Sequence, residues 1–343
     1  MKLRGYLRQR VARTEGVRMT DPVPRQQEGS PLQRLVSFRS SKLDDASNRE
    51  RSGGTGVGGV LRLCLFSGGL VSWATAKRVV AKHGTKGVVL LFADTMMEDE
   101  DLYRFLGEAA ADVLGWPKAP PIKALCELAA KIGEANICPE GCFGRLVIIA
   151  DGRNPWEVMR DERIIGGGKA GTDPCSKILK RQLLDRWERE NCGPETVSYF
   201  GLDWTEEHRL LRMRKRMPGR KVEAPMTEPP YMTKPQMMAW LKAEGIEPPR
   251  LYKLGFAHNN CGGFCVKAGQ AQFALLLRVM PERYAYHEAK EEEMRRIVGD
   301  HSVLRDRTNG TTKPLTLRAL RERIQSQGTF DTEDWGGCGC AID

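Results

Sequence analysis

No apolar stretch in these 343 residues approaches the ~18 that a membrane-spanning helix needs; the longest, such as Val88 to Ala93, have strand length. The N-terminus carries no apolar segment of the kind that heads a secretory signal, which argues against export. Ten cysteines are too sparse for a disulfide scaffold, so without an export signal they read as thiols or metal ligands in a reducing, cytoplasmic compartment. There is no internal repeat and no G-x-x-x-x-G-K-[ST] phosphate loop.

What is present can build a core: 41% of residues are hydrophobic, which excludes global disorder. The length suits two domains, or one large α/β domain with extensions. The formal net charge of +10 favours contact with phosphates, of a nucleotide or of a nucleic acid, without choosing between them. Residues 1–60 hold twelve Lys or Arg against six Asp or Glu, lack sustained periodicity and end in Ser52-Gly53-Gly54-Thr55-Gly56-Val57-Gly58-Gly59. That composition reads as a disordered basic tail with a Gly linker. The expected divisions are this tail, a nucleotide-binding domain over 61–230, and a mainly helical, cysteine-containing region over 231–343.

Order begins at Leu61. Leu61–Phe66 reads as a strand and Leu70–Ala81 as a helix; Gly87–Ala93 reads as a buried parallel strand, and acid-rich Met97–Glu100 opens a helix to Leu114. Leu146–Ala150 and Thr196–Phe200 are further strands, with helices at Ser176–Glu190, Thr205–Arg216 and Lys234–Ala243. Strands alternating with helices imply parallel βαβ units, hence a Rossmann-like sheet with helices on both faces. Beyond Pro249 the pattern is helical, clearest over Ala268–Val279 and Pro281–Val298.

Two glycine-rich signals lie close together. Gly54 to Gly59 matches G-x-G-x-x-G by letter, but precedes the first strand and opens no helix, so it reads as linker. Ser67-Gly68-Gly69-Leu70-Val71-Ser72 has strand before and helix after. Its glycines let the backbone approach an anion, successive N–H groups can form a nest, and the helix N-terminus adds partial positive charge.

That loop resembles the PP-loop of the adenine nucleotide alpha hydrolases, in particular the phosphoadenosine phosphosulfate (PAPS) reductase-like branch. Further segments resemble the branch in the same order: Phe92-Ala93-Asp94-Thr95 with Glu98; Cys175 to Lys180; Gly201 with Glu206, Glu207 and Arg209; and Leu251 to Phe256 followed by Cys261 and Cys265. The resemblance covers roughly residues 61–275. The sequence departs from the branch at Leu70-Val71, where Asp or Lys-Asp is usual, at Asp203, where many relatives have Arg, and at Cys175-Ser176, where iron–sulfur reductases have Cys-Cys.

In an open parallel sheet, ligands bind beyond the C-terminal strand ends. Asp94 falls there and can bind a ribose hydroxyl or Mg²⁺; as an alternative it caps the following helix. Lys180 and Arg209 can neutralise phosphate charge, and Ser67 completes the expected catalytic set. Arg209, Arg212, Arg214, Lys215, Arg216, Arg220 and Lys221 place seven basic residues within thirteen, a density that suits a nucleic-acid backbone, although few aromatics interleave in sequence to stack bases.

Cys261-Gly262-Gly263-Phe264-Cys265 and Cys338-Gly339-Cys340 are two tight pairs that can together bind Zn²⁺ or a 4Fe–4S cluster, with Cys175 as an alternative ligand. Cys138 and Cys142 form a third pair on a loop, Cys64 reads as core filler, and Cys126 and Cys192 as structural. The resemblance to PAPS reductases also suggests a nucleophilic thiol on the C-terminal tail.

The reading expected first is an ATP-using enzyme that adenylates a substrate, releases pyrophosphate and feeds a sulfur transfer, with tRNA or DNA as acceptor and a sulfur-donor protein as partner. The rivals are a thiol-dependent reductase of PAPS or adenylylsulfate, and a non-catalytic basic nucleic-acid-binding protein with a structural metal site.

Overall fold

The computed structural model describes residues 60–166, 173–307 and 311–336. The expected basic tail with its Gly54–Gly59 signal, and the pair Cys338 and Cys340, lie outside the described residues.

Strands β1 (Arg62–Leu65), β2 (Val88–Asp94), β3 (Glu134–Ile137), β4 (Arg145–Ala150), β5 (Val197–Tyr199) and β6 (Lys221–Glu223) form one sheet in the order β3-β4-β2-β1-β5-β6. All neighbours are parallel except β3 with β4. Every residue of β2 is buried, as a central parallel strand covered on both faces requires. Val88, Leu90 and Phe92 join Phe66, Trp73 and Phe105 in one core layer, while Val89, Leu91 and Ala93 join Leu63, Val147 and Trp187 in another. The period of two along the strand sends alternate side chains to opposite faces.

Helices α1 (Leu70–His83), α2 (Glu100–Leu114) and α3 (Ile122–Ile132) supply the first layer. After α4 (Pro155–Glu162), the short α5 (Pro174–Ser176) runs through a π-helical stretch, Lys177–Gln182, into α6 (Leu183–Asn191), which supplies the second. The expected α/β architecture is thus present. The chain winds from β1 out through β2 to β4, then starts again at β5 on the other side of β1. This reversal leaves a crevice at the carboxyl ends of β1 and β5.

Helices α7 (Glu207–Arg216) and α8 (Lys234–Ala243) follow, then α9 (Arg250–Lys253), α10 (Gln270–Val279), α11 (Pro281–Val298) and α12 (Leu317–Gln325). The last four pack around a separate cluster containing Phe264, Phe273, Leu276, Tyr284 and Leu320. The region beyond Pro249 is mainly helical, as expected, and adds a hairpin that the sequence pattern does not indicate, β7 (Leu304–Asp306) and β8 (Lys313–Leu315), paired antiparallel. Three residues per strand are too few to print a period of two on the sequence. Among the described residues, no helix is long and apolar enough to cross a membrane.

The tail returns to this region. Gly336 bridges to Ala268, and the Asp334 carbonyl accepts the Ala271 N–H at 2.9 Å. The Asp334 carboxylate also accepts the Gln270 N–H at 3.3 Å, placing negative charge at the start of α10, where the helix dipole favours it.

Glu291 ties α11 to the hairpin and to α12. Fully buried, it accepts the N–H of Val303 at 2.8 Å and of Leu317 at 2.6 Å. Burial pushes its carboxyl up to about 7, with the two N–H groups opposing. A folded-state value above the ordinary one means that Glu291 contributes most below the unfolded carboxyl range, and that this contribution is lost as pH rises through about 7. Between pH 5 and pH 8 the protein is expected to lose about 2 kcal/mol of stability through this group. Glu291→Gln flattens that part of the profile. Melting curves at the two pH values check it; an equal pH response in both proteins removes Glu291 as the cause.

Candidate functional site

The glycine loop joins β1 to α1 at the reversal point of the sheet. Gly68 has φ +72°, a backbone region that favours glycine, and a Cβ there would stand 3.0–3.2 Å from the Leu102 side chain. The anion-approach argument for this residue is therefore joined by a conformational one. Gly69 caps α1 without a side-chain cap, and no acidic residue occupies the first turn. Tyr252 takes up the Leu70 N–H, and the helix start keeps its partial positive charge with no acidic side chain to offset it.

Hydroxyls and amides brace the loop. Ser67 Oγ donates to Ser72 Oγ at 3.2 Å, and Ser72 Oγ donates to the Gly69 carbonyl at 2.8 Å. Tyr252 Oη accepts the Leu70 N–H at 3.3 Å, and Asn259 Nδ2 donates to the Gly68 carbonyl at 2.9 Å. Leu70 is buried in the core and the partly buried Val71 packs against that core. From the other strand end, Gly201 lies against the start of α1: a Cβ there would be 2.8 Å from Ser72 Cα. Only a residue without a side chain lets β5 and the loop approach this closely.

Above the loop is a cavity of about 280 Å³, near the small end of the ~300–1,000 Å³ typical of ligand pockets. Ser67, Gly69, Leu70, Val71 and Ser72 line it, and so do the cations Lys180, Arg209 and Lys234. The two lining acids have structural work: Asp203 accepts the Thr205 N–H at 2.9 Å as a cap, and Glu206 pairs with Arg209. The balance of the site is cationic, which suits an anionic ligand.

Asp94 is elsewhere. It is fully buried, accepts the Met96 N–H at 3.0 Å and the Tyr103 hydroxyl at 3.2 Å, and is not among the residues lining the cavity. Burial holds its carboxyl above the ordinary range, against the Met96 N–H, Cys126, Tyr103 and Lys180. Beside it, buried Glu98 accepts from Thr95 Oγ1 at 2.9 Å and from the Cys261 N–H at 2.5 Å, and lies 3.8 Å from Lys180 Nζ. Burial raises this carboxyl too, with Lys180 opposing. Lys180 thus joins a buried acidic pair to the cavity floor.

The structure gathers Ser67, Gly69, Leu70, Val71, Ser72, Lys180 and Arg209 around one cavity, whereas Gly68 and Asp94 are not among its lining residues. Asn259, Lys234, His258 and Tyr252 also line this cavity, although none was singled out as a site residue from sequence. For Tyr252 and Asn259 a signal existed, since both lie in or beside the Leu251–Cys265 segment. Lys234 gave none, as a lysine opening a helix is ordinary.

Cys261 and Cys265 are both buried, with Cys265 and Cys175 packed in or against the C-terminal apolar cluster. Among the described residues no group of three or more His, Cys, Asp or Glu is arranged to hold a metal ion. The described residues thus supply two of the four expected thiols, while the pairing of Gly336 with Ala268 ties the approach to Cys338 to a point three residues beyond Cys265. Cys64 is core filler, as its place in β1 suggests, and Cys138 is exposed on the loop between β3 and β4.

No protein-family model matches this chain, and no curated protein matches it significantly.

Proposed function

We propose that this protein is a PP-loop nucleotide-binding enzyme that uses ATP to adenylate a substrate in preparation for sulfur transfer. One observation carries the reading: a glycine loop and the helix start that follows it, with no acidic residue in the first turn, line a cavity at the reversal point of a parallel sheet together with Lys180, Arg209 and Lys234. In this reading the loop N–H groups and Ser67 hold the β- and γ-phosphates, and Lys180 and Arg209 neutralise charge on the reacting phosphoryl group. A substrate oxygen attacks the α-phosphorus. The new P–O bond forms as the bond to the bridging oxygen breaks, and pyrophosphate leaves with that electron pair. Rate enhancement comes from positioning and from charge stabilisation.

ATP carries Mg²⁺ on its phosphates. Asp94, the ligand expected for it, is held by Met96 and Tyr103 away from the cavity lining, so no step is assigned to the metal. The sulfur acceptor on the activated substrate, the donor protein and a cytoplasmic setting belong to the same proposal.

A comparison of ATP, PAPS and adenylylsulfate binding tests it. ATP is expected to bind, with pyrophosphate released when acceptor is supplied. The Ser67→Ala, Gly68→Ala double variant is expected to lose that binding while circular dichroism still reports a folded chain. Preference for PAPS redirects the site to the reductive reaction; unchanged affinity in the double variant removes the loop from the site.

A further inference from the structure

Read along the chain, the basic cluster after Arg209 has few aromatic neighbours. In space it does. Trp204 and Tyr231, 27 positions apart in sequence, meet with ring centroids 6.1 Å apart and planes tilted by 52°. They are 46% and 58% exposed, so large π-faces remain open to solvent. In the chain, Trp204 lies between the cavity-lining residues Asp203 and Thr205, and Tyr231 is three residues before cavity-lining Lys234.

Helix α7 leads away from this aromatic pair. Leu210 and Met213 bury one face, which leaves His208, Leu211, Arg212 and Lys215, spaced three and four apart, on the exposed one. Among the described residues neither Arg212 nor Lys215 is engaged by a hydrogen bond or ion pair. Residues 203–221 carry seven Lys or Arg against three Asp or Glu, and Glu206 is already paired with Arg209. Uncommitted cations on the helix that follows exposed Trp204 match, with the aromatic pair, the two repeating parts of a single strand of nucleic acid, phosphate and base.

We propose that Trp204, Tyr231 and the exposed face of α7 form a binding surface for single-stranded nucleic acid that leads to the cavity. Bases stack on the aromatic pair while Arg212 and Lys215 hold the backbone. Binding at this surface stands on its own; that the strand is the acceptor of the adenylation rests on the function proposed above.

The test is fluorescence anisotropy of the full chain with labelled 12-residue oligonucleotides of RNA, of DNA and of duplex, at two salt concentrations. Single strands are expected to bind better than duplex, and the RNA and DNA arms identify the sugar preferred. Trp204→Ala with Tyr231→Ala is expected to weaken binding by about ten- to a hundredfold, since each stacked base contributes appreciably. Arg212→Glu with Lys215→Glu is expected to weaken it as well and to reduce the salt slope by about two. Undiminished binding in both variants places the strand elsewhere, the basic N-terminal stretch included, and overturns the proposal; so does equal or better binding of duplex. Oligonucleotide binding without ATP binding sinks the enzymatic reading and leaves this surface standing, whereas ATP binding with no oligonucleotide binding does the reverse.

Discussion

On the proposed function, Lys180→Met is expected to weaken ATP binding by about a hundredfold or more, the loss for one charge-assisted phosphate contact in a water-poor site. Lys180 is nearly buried, lines the cavity and lies 3.8 Å from Glu98, itself next to buried Asp94. Removing one partner of a buried pair commonly costs roughly 3–5 kcal/mol, because the remaining charge is stranded. Glu98 limits that cost by taking up a proton, since burial already holds its carboxyl above the ordinary range and Lys180 is the main group opposing this. Without Lys180 that shift grows. A raised folded-state value gives stability at low pH that is lost as pH rises, so the variant melts close to the parent at pH 5 and clearly below it at pH 8. Lys180→Arg, which keeps the charge, recovers part of both properties. Titration calorimetry with ATP, and melting at the two pH values, measure the effects. Equal ATP affinity in the parent and in Lys180→Met would take Lys180 out of the site, and parallel pH profiles would dissolve its link to Glu98.

If the four cysteines share one site, protein purified without oxygen is expected to contain about one zinc, or about four irons with sulfide, per chain, and Cys261→Ser and Cys338→Ser are each expected to lose it. The ground is the return of the tail: Gly336 pairs with Ala268, and Asp334 is bonded to the first turn of α10, close in sequence to Cys265. Ligation would close a loop of more than seventy residues, and the binding free energy would offset that entropy, so both variants also melt earlier in the C-terminal region. Metal retained in Cys338→Ser but lost in Cys261→Ser excludes the four-cysteine site and points to a ligand such as Cys175. Metal retained in both, with a thiol-dependent reduction abolished by Cys338→Ser, favours a redox tail.

Much of this protein is written in local pattern. The run Val88–Ala93 announces a strand buried on both faces, and the alternation of such runs with helical stretches gives the α/β class. The strand–glycine–helix order expected around Ser67–Ser72 is the one the fold has, with the loop joining β1 to α1. These are short-range signals, since periodicity, capping and turn chemistry act over a few residues. Elements that hide have equally physical reasons. The edge strand β3 and the strands β6 to β8 have only three or four residues each, too few for a pattern to emerge.

Everything that depends on long-range approach waits for the folded chain. Asp94 has the right place at a strand end to meet a ligand, yet its buried carboxylate is engaged by Tyr103 from α2 and by the Met96 N–H and does not line the cavity. Asn259 reaches across 191 positions to the Gly68 carbonyl, and Trp204 meets Tyr231 although nothing in the intervening chain suggests it. Side-chain chemistry and periodicity set which residues can bind phosphate. Which of them face one cavity is decided by the order in which strands enter the sheet, because the reversal at β1 and β5 brings distant loops to the same edge.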